Sequence, residues 1–155
     1  IIPVINCESY LTRTTSGNNK TLQSVRSIVG QLLPESGLVY GIEVKQNYFG
    51  QEALNPPHRV RLRRPIELST ITDFHLYELL VHYAIFKLCC VDAEKLPFIV
   101  LYSSGISNPN FEKIFQIMFE HFNVPALLMI DRCTAAMIGC GYQTGVLVDI
   151  GYQSM

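Results

Sequence analysis

Three features of this 155-residue chain predict an α/β architecture whose sheet is at least partly parallel. From residue 98 onward the pattern runs strand, helix, strand, helix, strand, an order that folds into helices layered on a sheet. The run 98–102 is rich in β-formers and lacks polar alternation, as strands covered on both faces do. A hydrophobic fraction of 48% beside 16% charged residues suits a chain that buries a core, and it excludes intrinsic disorder.

Residues 1–5 form a short apolar strand, beginning at Ile1 without a Met. The stretch 7–36 is rich in Ser, Thr, Gly, Asn and Lys and reads as a variable surface loop. Within it, 20–33 (TLQSVRSIVGQLL) carries enough apolar periodicity for a short helix. Residues 37–44 alternate like a half-buried strand, and a turn is expected over 47–52. The helix over 72–90 is the clearest element, with Thr72 or Asp73 able to cap its first turn. Its apolar residues fall on nearly every face, which calls for burial on most sides.

Asn108-Pro109 opens the next helix, Pro being tolerated in a first turn. Its apolar stripe is Phe111, Ile114, Phe115, Met118, Phe119 and Phe122. A second buried run follows Pro125 over 126–130, then a short helix over 131–138 ended by Gly139 and Gly141, then a last strand over 144–150. The chain stops at Met155 just past a glycine turn, so both ends read as those of a fragment.

Twelve Lys and Arg against thirteen Asp and Glu leave a net charge of −1, which points to neither nucleic acid nor a membrane surface. The longest apolar run falls short of a membrane span. Cys7, Cys89, Cys90, Cys133 and Cys140 form no CxxC pair and mostly sit in apolar runs, a pattern that suits a reducing compartment. If 58–64 is a strand, Arg59, Arg61 and Arg63 share one face. A solvated face is the plainer reading, and an acidic or phosphate-bearing partner the sharper one. His58, His75, His82 and His121 have no ligand spacing beyond two helical turns between His75 and His82, so no metal ligand is assigned. No Ser-His-Asp or Cys-His arrangement is proposed, so no catalytic residue is named.

From Gln46 to Met155 the chain carries a series of landmarks. They are Tyr48-Phe49-Gly50-Gln51-Glu52-Ala53, Arg64-Pro65-Ile66-Glu67, Thr72-Asp73-Phe74, the run 116–126 (QIMFEHFNVPA) and the run 144–151 (TGVLVDIG). In order and spacing this series resembles actin and the actin-related proteins, where the matching stretches read YVGDEA, YPIE, TNW, QIMFETFNVPA and TGIVMDSG. The resemblance implies an actin-like (ribonuclease-H-like) mixed sheet with flanking helices. It also implies a small inserted subdomain within 1–65, with its variable loop at 7–36, and a core subdomain over 66–155 ending at the second phosphate loop.

It further implies ATP or ADP with Mg2+ as the ligand, with Asp149 and Gly151 at nucleotide-binding positions. There a carboxylate stands near the hydrated metal, and a glycine lets backbone N–H groups approach the phosphates. Three departures weigh against turnover. Tyr152-Gln153 follow Gly151 where the family has Asp-Gly, and side chains there block the close backbone approach. Counting back from Asp149 puts Arg132 where the family has its water-orienting glutamine. Arginine has no acceptor for a water proton, although it keeps the charge to contact a phosphate. The family's first phosphate loop would fall before Ile1.

The resemblance is thus to a divergent actin-related protein with weak or absent ATPase, a structural subunit of a cytoskeletal or chromatin-associated assembly. A Tyr after the phosphate-loop glycine is similar to what such proteins carry in dynactin's pointed-end complex and in chromatin remodellers. The expected partners are other actin-like or complex subunits, with no direct nucleic acid and no membrane. The expected compartment is the cytoplasm, with the nucleus as the alternative. A polymerising, nucleotide-dependent ATPase is the competing reading.

Overall fold

The computed structural model describes residues 4–6, 10–13, 23–33, 44–67, 70–103 and 108–148. In chain order the strands and helices are β1 (Val4–Asn6), β2 (Tyr10–Arg13), β3 (Gln23–Arg26), β4 (Val29–Leu32), β5 (Asn47–Phe49), α1 (Gln51–Leu54) and β6 (Val60–Arg63). They continue with β7 (Ile66–Glu67), β8 (Thr70–Ile71), α2 (Phe74–Tyr83), β9 (Phe98–Tyr102), α3 (Asn108–Gln116), β10 (Leu127–Asp131) and α4 (Arg132–Gly139).

The parallel sheet has the order β1-β9-β10, with Val4 opposite Ile99 and Leu128 opposite the same residue on the other side. The α/β expectation therefore holds. As the middle strand, β9 buries Phe98 and Val100 on one face, whereas Ile99 and Leu101 on the other are only half-buried, so the expectation of a strand covered on both faces is corrected. The expectation of a second fully buried run at 126–130 is corrected. β10 ends the sheet among the described strands, and Leu128 is 53% exposed.

Residues 23–33 form no helix. β3 pairs antiparallel with β2, and β4 is the centre of an antiparallel sheet ordered β5-β4-β6. Much of the stretch expected to be a surface loop at 7–36 is therefore ladder. Val25, Ile28 and Val29 are β-branched and pack well on a pleated surface, and Val25 and Val29 join the core. The expected turn at 47–52 is also corrected: β5 runs to Phe49, Gly50 turns the chain, and α1 follows. The strand expected over 37–44 lies outside the described residues except for Val44.

α2 begins where its cap predicts. An Asp73 carboxylate oxygen accepts from the Leu76 N–H at 3.0 Å, which satisfies one of the first-turn donors that have no helical partner. The helix continues as a π-helical turn over Ala84–Cys89 and ends at Cys90, whose φ is 50°. It buries Leu76, Tyr77, Leu80, Val81, Ala84 and Ile85, while Phe86 stays 43% exposed. It is therefore covered on one broad face and open on another, where the sequence calls for burial on most sides.

α3 likewise passes into a π-helical turn, Ile117–His121. The buried stripe differs from the expected one. Ile114, Ile117, Met118 and Phe122 are buried, whereas Phe115 and Phe119 are exposed and stack on each other at 6.2 Å.

Replacing Asp73 by alanine is expected to cost about 1 kcal/mol in urea unfolding, the usual worth of such a cap. The weak contact to Arg63 at 3.7 Å, between half-exposed groups, adds little. Asp73→Asn should keep most of the loss from appearing.

Candidate functional site

Ligands of parallel α/β sheets sit at the carboxyl ends of the strands. Here that edge is formed by Tyr102 at the end of β9 and, paired with it, Asp131 at the end of β10. The chain then turns directly into α4, whose first residue is Arg132. Asp131 serves as the N-cap: its Oδ2 accepts from the Thr134 N–H at 3.1 Å and from the Thr134 hydroxyl at 3.4 Å. Its Oδ1 is closed off from solvent and has no hydrogen-bond partner among the described residues.

Of the three site residues expected from the sequence, Arg132 is placed, half-buried, at this strand-to-helix junction. Asp149 and Gly151 lie outside the described residues, so the structure does not bring the three together. The strand expected to carry them, 144–150, is corrected over its described part: residues 144–148 form no strand, and Val146 is 93% exposed. A strand exists only with a neighbour to bond, and among the described residues none lies beside it.

The chemistry of the junction follows from its charges. The positive end of α4 is already met by the Asp131 carboxylate, which accepts the Thr134 N–H that an anion would otherwise use. A phosphate approaching Arg132 therefore meets an attracting guanidinium and a repelling carboxylate on consecutive residues. The free lone pairs of Asp131 Oδ1 suit a donor, but with no solvent-exposed area they do not reach a water in the way a hydrolytic base must. Asp131 is the site residue that sequence reasoning passed over; an Asp three residues before Thr134, at the end of an apolar strand run, was the available signal.

Two clefts lie elsewhere. One of about 590 Å3 is lined by Arg63, Arg64, Glu67, Thr72, Asp73 and Leu76 among others, between β6 and the start of α2. One of about 500 Å3 is lined by Gln31, Leu32, Leu33, Gln46, Asn47 and His75. The first mixes both signs of charge and uses Asp73 structurally, so it offers no convergent acid–base pair. Among the described residues no group of three His, Cys, Asp or Glu side chains converges as a metal site. His58 is 6% exposed with neither ring nitrogen bonded to a described residue, and it stands alone.

At the surface, the Lys95 ammonium, by hydrogen bond and then by charge, holds the Asp92 carboxyl below its ordinary range, and Asp92 raises Lys95 in return. Both are fully exposed, so this is a solvated pair and not a tuned site. Among the described residues no helix is long and apolar enough to cross a membrane.

Compared with known families, residues 2–155 match the family model described as Actin, all of the chain but its first residue.

Proposed function

The chain belongs to the actin family, and from that premise we propose that it acts as a structural subunit of a multiprotein assembly, with weak or absent ATPase. One observation carries the reading. At the strand-to-helix junction where the family resemblance expects a glutamine, this chain sets Arg132, and the adjacent carboxylate of Asp131 caps its own helix. Hydrolysis needs an acceptor that orients the attacking water. Arginine supplies none, and the remaining Asp131 oxygen is shut away from solvent.

Binding of ATP or ADP with Mg2+ is compatible with an arginine in this place, and Asp149 and Gly151 are the residues proposed to hold the metal and phosphates. The partners proposed are other actin-like or complex subunits in a cytoplasmic, cytoskeletal setting, with a chromatin-associated complex in the nucleus as the alternative.

The test is purification of the tagged full-length protein from its own cells, with mass spectrometry of what accompanies it and phosphate release measured on the eluate with Mg-ATP. Stoichiometric recovery of a defined set of other subunits, with phosphate release at background, is the expected result. Recovery alone or with copies of itself, together with steady phosphate release, would establish the polymerising ATPase instead.

A further inference from the structure

The antiparallel sheet β5-β4-β6 ends at β6, and the ladder determines which groups that edge presents. Leu33 N–H donates to Arg59 C=O at 3.1 Å, and the register places Gln31 opposite Arg61 and Val29 opposite Arg63. Bonded and non-bonded pairs alternate in an antiparallel ladder. Arg59, Arg61 and Arg63 therefore turn their backbone groups toward β4, while Val60 and Leu62 turn theirs outward. On the other side of β4, Leu32 N–H bonds Gln46 C=O and Gly50 N–H bonds Ile28 C=O, which fits the same alternation. Among the described residues no strand lies on the outer edge of β6.

The side chains alternate as well. Val60 packs over Gly30, where an added Cβ would meet its methyl at 3.0 Å, and Leu62 lines the cleft with Ile28, Leu54 and Leu76. Arg59, Arg61 and Arg63 share the other face and are all exposed. Arg63 leans to Asp73 at 3.7 Å; Arg59 and Arg61 have no carboxylate partner among the described residues. Two unbalanced arginines whose Cα atoms are about 7 Å apart thus stand beside a row of backbone donors and acceptors open among the described residues.

We propose that the outer edge of β6, open among the described residues, docks an extended acidic segment of another protein, whose backbone continues the sheet and whose alternate carboxylates meet Arg59 and Arg61. Backbone pairing supplies affinity in such additions, and alternate side chains supply specificity. The charges select among possible occupants. A second copy of this chain paired edge to edge would set arginines against arginines, which is destabilising. A nucleic acid would satisfy the arginines but has no regular N–H donors along its backbone for the outward carbonyls of Val60 and Leu62. Charged residues on an edge also serve simply to deter pairing, and in that case no peptide binds. The proposal is independent of nucleotide turnover and of the purification result above.

The experiment is fluorescence anisotropy with the full chain and a labelled octapeptide of alternating Glu and Thr. Three comparisons accompany it: the same peptide N-methylated throughout, a Gln-Thr peptide, and oligothymidylate of equal charge. The expected result is saturable binding of the Glu-Thr peptide that weakens as salt rises. It should weaken at least tenfold on N-methylation and at least tenfold in the doubly substituted Arg59→Gln/Arg61→Gln protein. Both arginines are exposed, so that variant should melt like the parent, which circular dichroism checks. Equal binding of the N-methylated peptide would overturn the proposal by reducing it to bulk charge. Oligothymidylate binding as tightly would assign the edge to nucleic acid, and binding no better than the Gln-Thr peptide would leave a guarded edge without a partner.

Discussion

Alanine at position 50 should lower the free energy of unfolding by about 3 kcal/mol or more, seen as an early urea midpoint with unchanged slope. Gly50 sits between β5 and α1 with φ 57° and ψ −120°, a combination outside the left-handed helical well that other residues visit at some cost. Forcing a side chain into such backbone costs about 1–3 kcal/mol. The added Cβ would also overlap a Val25 methyl, and Val25 is itself packed in the core. Relieving an overlap of that kind in a packed interior costs about 1–3 kcal/mol more.

The backbone has little freedom to yield, because the Gly50 N–H is bonded to the Ile28 carbonyl at 3.0 Å. Gly139 is the control. It closes α4 with no positive φ and nothing within 4 Å of an added Cβ, so Gly139→Ala should be neutral or stabilising by up to about 1 kcal/mol. Equal effects at the two positions would mean that the turn at Gly50 adapts, and that the sheet β5-β4-β6 is softer than its bonding indicates.

The elements legible in the sequence are those whose fate is decided locally. Asp73 before an apolar helix is a cap wherever that helix goes, and the alternation of strands and helices after residue 98 has few ways to fold. Stretch 20–33 is different. Its apolar residues repeat at a spacing that suits a helix, yet Val25, Ile28 and Val29 are β-branched, and a Cβ at Gly30 would press on a Val60 methyl at 3.0 Å. What settled it was pairing with Tyr48 and Leu62, far along the chain, and composition does not record partners. The reverse failure occurs at 144–150. The run has the composition of a strand, but strand character is a property of a pair, and its described part pairs with no described strand.

Phe119 departs from its expected place for a third reason: it lies in the π-helical turn Ile117–His121, where the rotation per residue changes. Phe115 lies before that turn, in α3, and the turn does not account for its exposure. For the site, counting back from Asp149 names Arg132, which lies at the strand-to-helix junction, while Asp149 itself lies outside the described residues. Asp131 was missed because a capping aspartate and a buried, half-used carboxylate look the same in one dimension.

The second large effect concerns the centre of the parallel sheet. Phe98→Ala is expected to cost about 3–5 kcal/mol, a large part of the 5–15 kcal/mol that usually separates folded from unfolded domains. For a chain of this size that is a fall in Tm of roughly 10 °C or more. Phe98 is 1% exposed on the strand between β1 and β10, and its N–H bonds the Ala126 carbonyl at 2.9 Å, so neither strand can slide in to fill the gap. Phe119→Ala removes the same atoms from a ring that is 43% exposed and stacked on the exposed Phe115. It should cost no more than about 1 kcal/mol. Identical truncations with a several-fold difference in cost isolate burial from residue type. If the two losses proved equal, Phe119 would have to be covered in solution, and the aromatic face of α3 would then belong to an interface of the intact protein.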